Sequence, residues 1–325
     1  MATRLQGSTS FRSLLRNEVH QEFIFAGKDM ISGPTLSIVV GVQFAQENLP
    51  DILESFDDTI DDRFEVLICY AENDPIDEGL LRRSYVKFIK GPPNSLIPEL
   101  WRDGILAARG EYVATTTAHC IPRADWLCTA IELDFEAHVA FGGGIALHDD
   151  ANPVSRAIHL LRYNSITPPL ATRIVNEVAA DNAVYRKADI LACEDLLLIG
   201  FWEPSYHERF RSKNLTMAIE PNLQVVHCNL YSISEFMEQR RRHGRAFGID
   251  RAGKVGLIMR IGLFLLSPLF FILFFAKTLR NVIVRSTKIS RRIQALPLVL
   301  LFLSNWSFGE ARGYLEAIFT RKRSQ

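Results

Sequence analysis

Four short apolar runs punctuate the first third of the chain: TLSIVVGV (35–42), FEVLICYA (64–71), YVKFI (85–89) and EYVATTT (111–117). Runs this short and this continuous predict β-strands buried on both faces. Between them, ENLPDILESF (47–56) and SLIPELWRDGILAARG (95–110) place apolar residues at helical intervals, with Ser95 at the N-cap and Gly110 as the stop. A short helical piece is expected just before YVKFI. Strands alternating with helices at this rhythm predict an α/β fold with a parallel, doubly wound sheet. Ligands of such a sheet sit beyond the carboxyl ends of its strands. Gln43, the Tyr70–Asp74 segment and the Thr117–His119 tip should therefore share one rim.

The second half is less regular. AHVAFGGGIALHDD (137–150) reads as a strand whose end is loosened by glycine, and DNAVYRKADILA (181–192) as a strand turning into a helix. FWEPSYHERFRSKN (201–214) reads as a helix opening at an acid before proline, and MAIEPNLQVVHC (217–228) as two short strands. SISEFMEQRRRHGRAFG (232–248) is a strongly basic helix. No internal repeat or low-complexity run is present.

Composition changes the picture mainly at the carboxyl end. The 325 residues carry no net charge, but from Val255 onward there are eleven Lys/Arg against two Glu, a local +9 that leaves −9 on the first 254 residues. A basic, oily tail on an acidic body is not the composition of a nucleic-acid binder, whose cations sit on the folded domain. VGLIMRIGLFLLSPLFFILFFA (255–276) is 22 residues with the single charge Arg260, which can snorkel. That length suffices to cross roughly 30 Å of hydrocarbon. A second run, IQALPLVLLFLSNWSFG (293–309), contains a proline and would span poorly, re-enter, or lie in the interface. The basic link between them favours an anionic cytoplasmic leaflet. Five cysteines without a CxxC spacing fit a reducing compartment, and the first residues lack a signal-length apolar core. The expected organisation is a lead-in (1–34), a body (35–250) facing the cytoplasm, and a membrane-associated region (251–325).

The order LSIVVGVQFAQENLPDILESF, FEVLICYAEND, WRDGILAARGEYVATTTAHCIPRADWL, DNAVYRKADIL and GFWEPSYHERFRSKNLTMAIEPNLQVVH resembles a family 2 glycosyltransferase with the GT-A fold, over roughly residues 35 to 250. The resemblance implies a mostly parallel sheet flanked by helices. It also implies transfer of a sugar from a nucleotide-diphosphate donor to a hydroxyl acceptor, with inversion at the anomeric carbon. The acceptor is expected to be lipid-linked or membrane-proximal.

The family's metal-binding acidic pair maps to Thr117 and His119. Imidazole suits a manganese-like divalent cation but threonine replaces a carboxylate poorly. His227 falls where some GT-A enzymes supply a third ligand. His119 and His227 thus either share a metal or mark a site where arginines hold the diphosphate directly. Glu203, in GFWEP, matches the family's catalytic base, which takes the acceptor proton. Asp181 is the spare candidate, followed by the family-like Asn182 and Arg186. Gln239 and Arg242 resemble part of a Gln-x-x-Arg-Trp motif of membrane polysaccharide synthases, His243 replacing tryptophan, and arginine forks suit diphosphate oxygens. The nucleotide-base pocket departs from the pattern, leaving Glu72 or Asp74 for the missing aspartate. The alternative is a catalytically silent GT-A module that binds a nucleotide sugar or scaffolds an envelope polysaccharide assembly. A nucleotidyltransferase is disfavoured by the lack of carboxylates for magnesium.

Overall fold

In the computed structural model, which describes residues 33–285 and 293–319, the four predicted runs are strands β1 (Leu36–Val42), β2 (Phe64–Ala71), β3 (Val86–Gly91) and β4 (Tyr112–Thr117). They pair in parallel in the order β3-β2-β1-β4. Alternation of side chains along β1 explains its continuous apolar run. Ile38, Val40 and Val42 pack on Leu49, Ile52, Leu53 and Phe56 of helix α1 (Leu49–Asp57), while Val39 packs on Leu100, Trp101 and Ile105 of helix α2 (Ile97–Ala107). Both faces are covered, so no polar residue is needed on either. Fully burying each such side chain is worth roughly 1.5–3 kcal/mol.

The local expectations need three corrections. Residues 72–85 form turns, not a helical piece, and the Tyr70 hydroxyl bonded to Glu78 ties the segment to β2. Ser95 does not cap α2: its hydroxyl donates to the Pro92 carbonyl, and the Glu99 carboxylate takes the free Leu96 N–H at 2.6 Å. The helix ends at Ala107, and Gly110 N–H instead bonds the Ser37 hydroxyl.

The remaining strands are β5 (Cys120–Pro122), β6 (Ala140–Leu147), β7 (Arg173–Val175), β8 (Asn182–Arg186) and β9 (Met217–His227). They extend the sheet as β4-β8-β6-β9-β5, with β7 on β9. Because β8 runs antiparallel to both β4 and β6, the sheet is mixed. The glycine run lies inside β6, where the pairing to β9 shifts between Gly142 and Gly144. A Cβ on Gly143 would run into the Leu223 carbonyl and the Asn182 amide. The glycines therefore make a bulge that admits the Asn182 side chain. β9 is one strand, not two, yet its pairing to β6 skips from Ile219 to Gln224 around Pro221, which has no N–H to give.

Short helices α3 (Trp126–Ile131), α4 (Pro153–Arg162), α5 (Lys187–Leu191), α6 (Glu194–Leu197) and α7 (Glu203–Ser212) flank the sheet. Three longer ones follow: α8 (Ile233–Gly253), α9 (Leu257–Arg285) and α10 (Leu296–Phe319). Ser232 and Glu235 cap α8 reciprocally. α10, which contains most of the second apolar run, lies against α8 in the same direction. Glycines of both helices, Gly244 and Gly248 with Gly309 and Gly313, leave no room for a Cβ against the opposing carbonyls. Its first turns add Val299, Phe302 and Leu303 to a core with Ile158, Tyr231 and Phe236.

Arg260 does not snorkel. Its guanidinium donates to the Ala252 and Val255 carbonyls at the end of α8 and to the Ala317 carbonyl of α10, at 2.8–3.1 Å. A cation there complements two converging helix dipoles.

Among the described residues no single helix is long and apolar enough to cross a membrane. The pair Leu257–Leu269 and Phe271–Arg280 passes that test together, bent by 43°. Pro268 accounts for the bend, since it cannot bond the Phe264 carbonyl, and Ser267 Oγ takes that carbonyl at 2.8 Å. The lead-in 1–32 and part of the basic link, 286–292, lie outside the described residues.

Candidate active site

The parallel strands, β6 and β9 all end at one edge, and β8 begins there, so the tip after β4 sits in a crowded corner. The tip is fixed through its backbone. Ala118 N–H bonds the Gly41 carbonyl, Cys228 N–H bonds the His119 carbonyl, and the Asn48 amide bridges the Ala118 and Cys228 carbonyls at 2.9 Å each. Trp101 Nε1 donates to the Thr116 carbonyl at 2.7 Å. His119, in consequence, is turned inward, only 2% exposed. Its Nε2 lies 3.0 Å from the Gln43 carbonyl and its ring stacks on Tyr231 at 4.3 Å. A carbonyl can only accept, so the proton belongs on Nε2, and Nδ1, which makes no hydrogen bond, carries the lone pair. Burial, aided by the Arg162 charge, pushes His119 down to about 3, so it is neutral.

Asp181 stands at the start of β8 beside this tip, its carbonyl accepting the Thr116 hydroxyl at 2.9 Å. Its carboxylate accepts from Arg162 Nη2 at 2.8 and 2.9 Å and from the Tyr163 hydroxyl at 2.9 Å. Arg162 is the last residue of α4. One turn earlier, His159 meets the Ile145 carbonyl at 3.0 Å, and its ring lies 6.0 Å from that of His227. His227 is held well below the usual histidine range by burial and by His159, His119 and Arg162. Arg240 of α8 enters the same surroundings. Its guanidinium lies over Phe236 and Trp306, and its Nε bonds Gln239 Oε1 at 2.7 Å. Burial first, and then Arg162, lower its affinity for a proton, to about 9.

Glu203 opens α7 just before Pro204, where an acid complements the helix dipole. The preceding turn needs Gly200 at φ 118° and is pinned by a Phe201 N–H bond to the Pro98 carbonyl, 2.7 Å. Trp202 then packs edge-on against His243 of α8, ring centres 5.8 Å apart. Among the described residues no cation pairs with Glu203 within ion-pair distance. Burial and the nearby Asp181 carboxylate raise it to about 7, with Arg162 opposing. A carboxyl poised near neutrality can exchange a proton in either direction.

The structure brings together Gln43, Thr117, His119 and His227 from the sequence reading, with Asp181. Glu203 is electrostatically joined to Asp181 and Arg162. Others go elsewhere. Asn182 is wholly buried, donating to the Gly144 and Leu223 carbonyls and accepting from Trp126 Nε1. Arg186 pairs with Asp189 at the opposite edge of the sheet, beside Tyr112. Glu72 forms a surface ion pair with Lys90. Asp74 accepts the N–H of Phe44, a residue at φ 55°, and so supports the loop after β1. Gln239 serves Arg240, and Arg242 bonds the Asn94 carbonyl. The sequence reading missed His159, Arg162, Tyr163, Tyr231 and Arg240. Polar residues at i, i+3 and i+4 in RAIHLLRY (156–163) were the available signal.

The donors at this edge fall short of a site for a manganese-like ion. Among the described residues His119 Nδ1 and His227 Nδ1 are buried without hydrogen-bond partners, but Asp181, the carboxylate beside them, is occupied by Arg162 and Tyr163. Among the described residues no group of three His, Cys, Asp or Glu could hold a metal.

No protein-family model matches this chain, and no curated protein does. Solved structures are similar to it. A mannosyltransferase from Pyrobaculum calidifontis, in complex with GDP-Man and Mn2+, shares 15% identity over 94% of this chain and 81% of its own, with a TM-score of 0.44. TarS 1–349 from S. aureus in complex with UDP-GlcNAc shares 12% identity over 65% of this chain, TM-score 0.42. The same fragment alone gives 12% over 82%, TM-score 0.43. The chain spans 66% of TarS 1–349 in the first comparison and 70% in the second.

Proposed function

We propose that this protein is an inverting glycosyltransferase, moving a sugar from a nucleoside-diphosphate donor to a hydroxyl acceptor at a membrane surface. The observation that carries the reading is Glu203. It is a carboxyl without an ion-pair partner among the described residues, raised to about 7, set at a helix start and electrostatically coupled to Asp181 and Arg162 at the carboxyl edge of the sheet. In the reaction the Glu203 carboxylate takes the proton of the acceptor hydroxyl. The acceptor oxygen forms its bond to the anomeric carbon as the bond from that carbon to the diphosphate oxygen breaks. The electron pair leaves on the nucleoside diphosphate, where positive groups stabilise it.

The membrane part of the proposal rests on α9. Ile258 is 88% and Leu265 68% exposed, and Met259, Leu269, Ile272 and Leu273 are exposed with them. A surface so apolar favours a lipid environment. It supports an acceptor that is itself lipid-linked.

A thermal-shift screen of the detergent-solubilised full chain against nucleotide sugars tests the donor, followed by product analysis with those that bind. Stabilisation by at least one nucleotide sugar, and turnover of it, are expected. Binding without turnover would make the chain a silent module. If no nucleotide sugar binds, the reading fails altogether.

A further inference from the structure

The corner after β4 holds more fixed positive charge than negative. Arg162 presents an incomplete pairing: Nη2 alone reaches both Asp181 oxygens, while Nε and Nη1 meet no acceptor among the described residues. A guanidinium facing a carboxylate normally engages it with two nitrogens in parallel. The other edge of the Arg162 fork is thus free among the described residues, and 20% of the side chain is exposed. Arg240 is in a similar state. It is 92% buried (8% exposed), and among the described residues it touches two aromatic faces and one amide oxygen but no carboxylate.

Of these two largely buried guanidiniums only Arg162 is bonded to a carboxylate, that of Asp181, among the described residues. A buried cation without a counter-charge is costly, and His119 and His227, held neutral by burial, neither add to nor relieve the excess. Thr117 Oγ1 adds a buried hydroxyl beside Cys120 at the end of β4. The charge and the free planar donors call for an anion with several oxygens. They also disfavour a second cation.

We infer that Arg162 is the resident cation of this site: with Arg240 it holds the diphosphate of the donor where a metal would otherwise be needed, so donor binding requires no divalent ion. This rests on the glycosyltransferase reading, since the diphosphate is the donor's. Asp181 is then a positioning residue that aims Arg162 and does not touch the donor.

Calorimetric titration of the full chain in detergent with UDP, GDP and inorganic pyrophosphate, each in EDTA and in manganese, tests the inference. The wild-type protein should bind a nucleoside diphosphate with an affinity that differs by less than about twofold between the two conditions. Arg162→Gln should weaken that binding at least about tenfold, as expected for loss of a charge-assisted bidentate contact. Arg162→Lys, which keeps the charge and loses the fork, should fall between, and manganese should rescue neither. The wild-type comparison decides the matter even if the variants fold poorly. Binding seen only with manganese would overturn the inference and leave the transfer reading standing. Absence of nucleotide binding in both conditions would overturn both. Pyrophosphate binding as tight as UDP or GDP would assign the guanidiniums to a free anion, and would overturn it too.

Discussion

The two ends of the sheet each bury a carboxylate, and they treat it differently. At the amino end Glu65 is 2% exposed and fully served. It accepts from the Ser37 hydroxyl at 2.7 Å, from Arg109 N–H at 2.7 Å and Nε at 2.9 Å, and from Lys87 at 3.0 Å. Burial raises its proton affinity, but these bonds outweigh it and hold the carboxyl at about 2. At the carboxyl end Asp181 is equally buried and bonded, yet the groups around it are not. Among the described residues half of the Arg162 fork and the Arg240 terminus meet no acceptor, and His119 Nδ1 and His227 Nδ1 have no hydrogen-bond partner. A closed polar network stabilises the fold, and an open one leaves donors and acceptors available.

The largest expected effect breaks the comparison at the carboxyl end. Glu203→Gln should cut turnover by about 10²–10⁴-fold, the usual worth of a general base, with donor affinity unchanged within about twofold. Steady-state kinetics alongside donor titration separate the two quantities. At the other end Glu65→Gln should cost stability and spare donor binding. Its folded value of about 2 lies below the ordinary value of 4.5, so its contribution is full above pH 4.5 and lost as pH falls through 2. The shift corresponds to about 3 kcal/mol. The gap in urea stability between wild type and Glu65→Gln should therefore narrow across that window.

A smaller effect is expected at the support of Arg240. Gly309→Ala would drive a methyl into the Arg241 carbonyl and part α8 from α10. A loss of about 1–3 kcal/mol is expected, and weaker nucleotide binding should accompany it, because Trp306 lies over Arg240. Least disruptive is Tyr163→Phe. Asp181 keeps Arg162, so only about 1 kcal/mol should go, and denaturant midpoints can resolve it.

The amino-acid sequence displays the parallel half of the sheet plainly, because strands covered on both faces leave unbroken apolar runs. It hides the mixed half. β5 and β7 are three residues long, too short for any pattern. The Gly142–Gly144 bulge resembles a loosened end, and Pro221 makes one strand resemble two. In the site, Glu203 is legible because Pro204 and the helix start mark it, and His119 because it closes a strand. Arg162 and Tyr163 are concealed in an ordinary amphipathic helix, and only the placement of Asp181 gives them meaning. The match of Gly244 and Gly248 with Gly309 and Gly313 pairs segments more than sixty residues apart, which no local pattern reports. Arg260 reads as a lone charge in an apolar run until the ends of α8 and α10 converge on it.

The central claim is that Glu203 is the base of a transfer reaction at this edge. The pH dependence of kcat/KM, measured with any donor that binds, tests it most directly. A base must be deprotonated to act, so the wild-type rate should rise with pH through an apparent pKa near 7, the value of the Glu203 carboxyl. In Glu203→Gln that rising limb should disappear from the small residual rate. An unchanged limb in the Gln variant, or a wild-type rate flat from pH 5 to 9 (about two units to either side of that pKa), would contradict the account.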